Sequence, residues 1–133
     1  MSRVELRNEI LFKAPTRVGL LSDVAEALHG AGVNVLAIGA YDKGDVGEFL
    51  LVTDNNKAAF AALDGMGGTL DLLPVVVAWV DNAPGELARV ARRLADNGIT
   101  VAQIHASTTD APTAMLVIRA DCELDVIKLL EGV

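Results

Sequence analysis

The residues best placed to do chemistry in this sequence form one short string, Asp81-Asn82-Ala83-Pro84-Gly85-Glu86-Leu87. It follows an apolar run, Val75 to Val80, and precedes leucine and valine at helical spacing. Aspartate or asparagine caps a helix, proline suits its first turn, and glycine lets another backbone approach closely. The first amide N–H groups of a helix have no partner within it, so such a start can receive a carboxylate. By itself the string is a well-made cap. With a second copy elsewhere in the chain it becomes a candidate binding turn.

No other group of side chains makes a catalytic set. The two histidines are His29, in a helical segment, and His105, in a strand. The ordinary reading of each is a surface or hydrogen-bonded histidine, with a ligand contact the less common one for His105. Cys122 opens a helix, but no base stands near it in sequence, so a structural or incidental cysteine is the expectation. As the single cysteine it excludes an internal disulfide and any site needing several thiolates. Asp42, Asp45 and Glu48 flank a glycine-rich loop whose spacing is too loose for calcium. The expectation is a protein that is not an enzyme, with no metal and no cofactor.

Composition narrows the partners. Of 133 residues 52% are hydrophobic and 22% charged, which suits a packed core rather than a disordered chain. The net charge of −7 repels phosphate backbones, and Arg89, Arg92 and Arg93 read as a solvated helix face, so no nucleic acid is expected. The start, Met1 to Asn8, lacks the apolar run of a signal peptide. The longest apolar run, Leu72 to Val80, falls short of the roughly 20 residues of a bilayer span. A cytoplasmic protein with no membrane partner follows as the expectation.

The elements that hold the turn are duplicated. An offset of 66 residues sets Gly19 on Gly85, Leu21 on Leu87, Val24 on Val90, Leu28 on Leu94 and Gly32 on Gly98. Without a gap it continues through Val35 on Val101 and Ile38 on Ile104 to Leu50 on Leu116 and Leu63 on Leu129. Each half begins with a β-rich run, Glu9 to Lys13 or Val75 to Val80. An amphipathic helix follows, with its stripe on Leu21, Val24 and Leu28 or Leu87, Val90 and Leu94. Two strands joined by a hairpin come next: Val33 to Ala40 with Phe49 to Thr53, and Ile99 to Ala106 with Ala114 to Arg119. A second helix covers about residues 57–64 or 124–131.

This order is β-α-β-β-α-β, a split β-α-β or ferredoxin-like unit. The fold class is therefore α+β: two such units with antiparallel sheets and helices on one face. Residues 1–73 form the first domain, ending in strand Thr69 to Leu73, and 74–133 the second, with its last strand missing. The gap would bare the edge of Val75 to Val80, and open apolar edges invite another strand. Arg3 to Arg7, alternating around Val4 and Leu6, is expected to cover it, from the same or a partner chain.

The string D-N-A-P-G-E-L, then Val90, Leu94 and G-I-T-V (Gly98 to Val101), resembles the ACT domain, a small amino-acid-sensing module. The first half is similar through K-A-P-T-R-V-G-L-L (Lys13 to Leu21) and G-V-N-V (Gly32 to Val35). The whole resembles stand-alone tandem ACT proteins. The resemblance implies a ligand between ACT units, held by the strand-helix turn of one and the second-strand start of its neighbour. Carried over, that site takes Thr16, Arg17, Val18, Gly19 and Leu20 from the first turn. The second turn gives Asn82, Pro84, Gly85 and Glu86, and the strand starts give Asn34 and Thr100. Neither copy holds both asparagines, which implies one well-equipped site and one degenerate site. The expected function is a regulatory protein binding a small molecule, an amino acid, working as a homodimer and with a separate enzyme as a possible partner. The alternative is an interaction module that binds no ligand and docks onto an enzyme or regulator.

Overall fold

The computed structural model describes residues 3–131. Its strands are β1 (Arg3–Pro15), β2 (Val35–Lys43), β3 (Val46–Thr53), β4 (Thr69–Asp81), β5 (Val101–Ser107) and β6 (Thr113–Ala120). Its helices are α1 (Leu20–Gly30), α2 (Asn56–Leu63), α3 (Glu86–Asp96) and α4 (Glu123–Glu131). The chain divides into two compact units, Asn8–Leu73 and a second formed by residues 74–131 with 3–7. No helix among the described residues is long and apolar enough to cross a membrane.

Within Asn8–Leu73 the strand order is β2-β3-β1-β4, the order of a ferredoxin-like unit. Strand β3 pairs antiparallel with both β1 and β2. Ile10, Phe12 and Ala14 of β1 and Phe49 and Leu51 of β3 meet Leu20, Val24 and Leu28 of α1 in one buried cluster, closed by Ala59 and Leu63 of α2. The apolar stripe of α1 thus begins at Leu20, while Leu21 is 57% exposed, as is its counterpart Leu87 at 51%. The expected stripe was one residue out at its first position. Asn55 caps α2 by accepting a hydrogen bond from the Ala58 amide at 3.1 Å.

The second unit, taken alone, has the order β1-β4-β6-β5, with β6 pairing antiparallel to β4 and β5. Val76, Ala78 and Val80 pack with Val90 and Leu94 of α3 and Val126 and Leu130 of α4. The fourth strand of this unit is residues 3–7. Val4 packs against its core, and the Arg3 guanidinium carbon lies 3.7 Å from the centre of the Trp79 ring. The open edge expected from the sequence is covered by the start of the same chain.

Both first helices begin on a glycine in the left-handed region, Gly19 at φ 86° and Gly85 at φ 89°, without a side-chain cap. Any other residue there costs about 1–2 kcal/mol. The gap-free repeat holds as far as β2 and β5 and then slips. Ile38 pairs with Leu51 and Ile104 with Ile118, so β3 and β6 are related by 67 residues. The extra residue lies in the second hairpin. Leu50 therefore faces away from the helices, whereas Leu116 faces them, because one residue of slip exchanges the faces of a strand.

Removing residues 1–7 is expected to destabilise the second unit, by about 1–2 kcal/mol from the Val4 side chain alone. A urea titration followed by Trp79 fluorescence would show the midpoint fall. An unchanged midpoint would mean that residues 3–7 add nothing to that unit.

Candidate functional site

The turn from β4 to α3 borders a concavity of about 210 Å³. Its apolar floor comes from Val80 on β4, Ala106 on β5 and Ala114 and Leu116 on β6. Asp81, Asn82, Ala83, Glu86 and Leu87 from the turn form one wall, and Ser107 and Thr108 bring two hydroxyls. Pairing explains the assembly: Val80 lies opposite Ala114, and Ala106 opposite Leu116, so all four point toward the helix side.

Two interactions fix the wall. The Asn82 amide donates from Nδ2 to the carbonyls of Thr109 and Ala111, at 2.9 and 3.0 Å, and its backbone N–H donates to Pro112 at 2.9 Å. Asn82 thus ties the long hairpin loop to the turn. Glu86 receives Arg89 in a fork, Nε to Oε2 and Nη2 to Oε1, both at 2.9 Å. The Arg89 hydrogen bond, against an opposing contribution from burial, holds the Glu86 carboxyl below its ordinary 4.5, so it stays ionised. Pro84 is exposed and Gly85 supplies the left-handed corner.

The first turn is built differently. The Thr16 N–H donates to the Asp45 carbonyl at 2.9 Å and its Oγ1 to Asp42 Oδ1 at 2.8 Å. The Arg17 Nη2 meets Asp23 Oδ2 at 2.6 Å, inside the first turn of α1. Val18 is fully exposed, and Leu20 is buried. Leu20 fills the place that Glu86 leaves open: its Cδ2 would lie 2.9 Å from a Cβ placed on Gly47, the counterpart of Ala114. A groove of about 640 Å³ beside this turn is bordered by Thr16 but not by residues 17–20.

Asn34 and Thr100 lie at the far ends of their units. The Asn34 N–H donates to Asp54 Oδ1 at 2.9 Å, at the end of β3 away from the hairpin that holds Thr16. Helix α1, with 11 residues and a length of about 16 Å, separates Asn34 from the turn. Thr100 is exposed beyond α3 in the same way. The structure therefore gathers Thr16 to Leu20 in one turn and Asn82 to Glu86 in the other, and within a unit it adds neither strand-start residue to them. Ser107, Thr108 and the floor residues were missed, because they join the site only once the hairpin register is fixed. Arg89 had a visible signal, its spacing of three from Glu86 on a helix.

His29 is exposed on α1, and Cys122 sits before α4 with its carbonyl accepting the Val126 N–H at 3.2 Å. His105 pairs with Val117 and faces away from the concavity; burial, with Arg119 beside it, pushes its imidazole below the ordinary value. Among the described residues no three His, Cys, Asp or Glu side chains gather as a metal centre would need.

Asn82→Ala removes two hydrogen bonds and is expected to cost about 1–2 kcal/mol, with faster hydrogen exchange in residues 108–112. No change there would mean that the loop is held by other contacts. The Glu86 carboxyl is depressed in the folded state, so the stability it contributes is complete above its ordinary value and is lost as pH falls through the lowered one. Thermal melts between about pH 6 and about pH 3 should show that loss in the native chain, and Arg89→Gln should reduce it.

A sequence profile described as "ACT domain pair" matches residues 9–129. A search of curated proteins gives no match. Among solved structures the fold is similar to protein BT0572 from Bacteroides thetaiotaomicron, with a TM-score of 0.88 and 22% identity over 97% of this chain and 89% of that one. It is also similar to the regulatory subunit of aspartate kinase from Thermus thermophilus in its ligand-free form, with a TM-score of 0.72 and 18% identity over 97% and 95%. The corresponding subunit from Thermus flavus gives 0.60 and 19% over 97% and 95%. With the profile spanning both units, this chain belongs to the ACT domain family, as an ACT domain pair.

Proposed function

We propose that the chain is a regulatory protein that binds an amino acid at the turn between β4 and α3. The observation that carries this reading is the concavity of about 210 Å³ at that turn, on a chain of the ACT domain pair family. The uncapped start of α3 offers backbone N–H groups to the ligand carboxylate. The equivalent space under the first turn is filled by Leu20, which favours one working site per chain. The similarity to regulatory subunits of aspartate kinase supports control of a separate enzyme. Ile38 and Ile104, each about half exposed on the edge strands β2 and β5 of their units, suit a homodimer. We place it in the cytoplasm, in keeping with its single unpaired cysteine.

A thermal-shift panel of the standard amino acids tests the reading. A ligand that binds only the native state raises the melting temperature by mass action, so a small subset should stabilise the chain. Ala114→Leu, which fills the floor, should abolish that gain without lowering the basal melting temperature. A flat panel would turn the assignment toward a docking module.

A further inference from the structure

Helix α2 carries its charges in the unfavourable order. A helix favours acids near its first turn and bases near its last, and α1, α3 and α4 follow that rule. They open with Asp23, with Glu86, and with Glu123 and Asp125, and they close with His29, Arg93 and Lys128. Helix α2 has no acid in its first turn and no base in its last. Lys57 stands in its first turn instead, and Asp64 is its C-cap; both are exposed. Among the described residues neither has an ion-pair partner, so no salt bridge there offsets the unfavourable order.

The two charges bracket an apolar groove. Lys57, Phe60, Ala61 and Asp64 line a groove of about 450 Å³, which Leu72 of β4, 49% exposed, also borders. Spacings of three, four and seven put the four helical residues on one face of α2. Lys57 and Asp64 lie about 10 Å apart along the axis, with Phe60 and Ala61 midway between them. Asn56, also on the groove, is committed: it accepts from the Thr53 hydroxyl at 2.7 Å and donates to the Asn8 carbonyl at 2.9 Å.

This face is complementary to itself. We propose that it is a contact between two copies of the chain, which pair their α2 helices antiparallel about a twofold axis between Phe60 and Ala61. Each Lys57 then meets the partner's Asp64, and each Phe60 lies against the partner's small Ala61. Each charge also comes to the end of the partner's helix that favours it, which answers the unfavourable order within one copy. The second unit does not repeat the face. The buried pairs Ala59 with Val126 and Leu63 with Leu130 align α2 with α4. That alignment sets Leu124, Ile127, Lys128 and Glu131 in place of Lys57, Phe60, Ala61 and Asp64. A twofold axis there would bring two copies of Lys128 to its centre and leave Glu131 opposite Leu124. The α2 contact uses so few side chains, against roughly 20–30 residues a side in a standard interface, that it is weak and reversible. It involves neither the edge strands β2 and β5 nor the β4–α3 turn.

The test is sedimentation velocity on the full chain over a range of concentrations, with a melting curve of each variant to check its fold. The native chain should show a concentration-dependent association that salt weakens. Lys57→Glu and Asp64→Lys should each weaken it by about tenfold or more, because each turns two attractive pairs into two repulsive ones. Combining Lys57→Glu with Asp64→Lys should bring most of the association back, since both pairs return with their signs exchanged. Each exchange suits the dipole of α2, so neither should lower the melting temperature. Ala61→Arg, at the exposed centre of the face, should abolish the association. A chain that is monomeric at every concentration, or a double variant as weak as the single ones, would overturn the inference. So would an association that none of these variants alters, and that result would leave a dimer built on the edge strands standing.

Discussion

A β-α-β-β-α-β unit closes when a fourth strand lies beside its first, because the backbone groups on the outer edge of that first strand otherwise have no partner in the sheet. Residues 74–131 contain three strands and two helices, and the fourth strand beside them comes from elsewhere in the chain. Residues 3–7 supply it, and this one requirement shapes the beginning of the sequence. Strand β1 runs unbroken from Arg3 to Pro15, with its first part in one unit and the rest in the other. Val4 serves the second core, while Ile10, Phe12 and Ala14 serve the first. All four occupy even positions, so a single period-two pattern satisfies both cores. Inserting one residue between Arg7 and Asn8 would turn one of those sets to the wrong face.

The same arithmetic explains what was legible in the sequence. The duplication could be read because glycine at a left-handed corner cannot be exchanged cheaply, and Gly19, Gly32, Gly85 and Gly98 all have positive φ. Helix stripes were legible to within one residue, since a stripe wide enough to cover a core tolerates Leu20 or Leu21 as its first member. The hairpin insertion was not legible. Leucines at 50 and 116 align by type, and only the strand pairing shows that they point to opposite faces. Apolar runs conceal register, because both of their faces are buried.

The candidate site divides along the same line. Asn82 to Glu86 could be found because they are contiguous and their chemistry is local to a helix start. Asn34 and Thr100 entered through resemblance rather than through local chemistry, and each lies a helix length away from the turn of its own unit. Ser107, Thr108, Ala114 and Leu116 carry no signal of their own; an alanine becomes a pocket floor only when a register sets it opposite Val80. Asn82 shows a further limit. Its residue type suggested a ligand contact, yet its amide donors go to the carbonyls of Thr109 and Ala111. Asparagine is versatile enough that residue type alone does not separate holding a loop from holding a ligand.

The two turns together show what opening a site requires of a small fold. In the first unit Leu20 reaches over Gly47 beside Phe49, whose ring lies 6.0 Å from that of Phe12, and the space under the turn is filled. In the second, Leu116 replaces Phe49 and Ala114 replaces Gly47, while Glu86 in place of Leu20 pairs with Arg89. The changes from Phe49 to Leu116 and from Leu20 to Glu86 remove apolar packing that a core of this size can scarcely spare. The losses are offset in part by the Asn82 bonds that pin the hairpin loop and by the fork between Glu86 and Arg89, where the first unit has Thr16 bonded to Asp42 and Asp45. Leu20 closes the space under the first turn, and Glu86, drawn toward Arg89, leaves it open under the second.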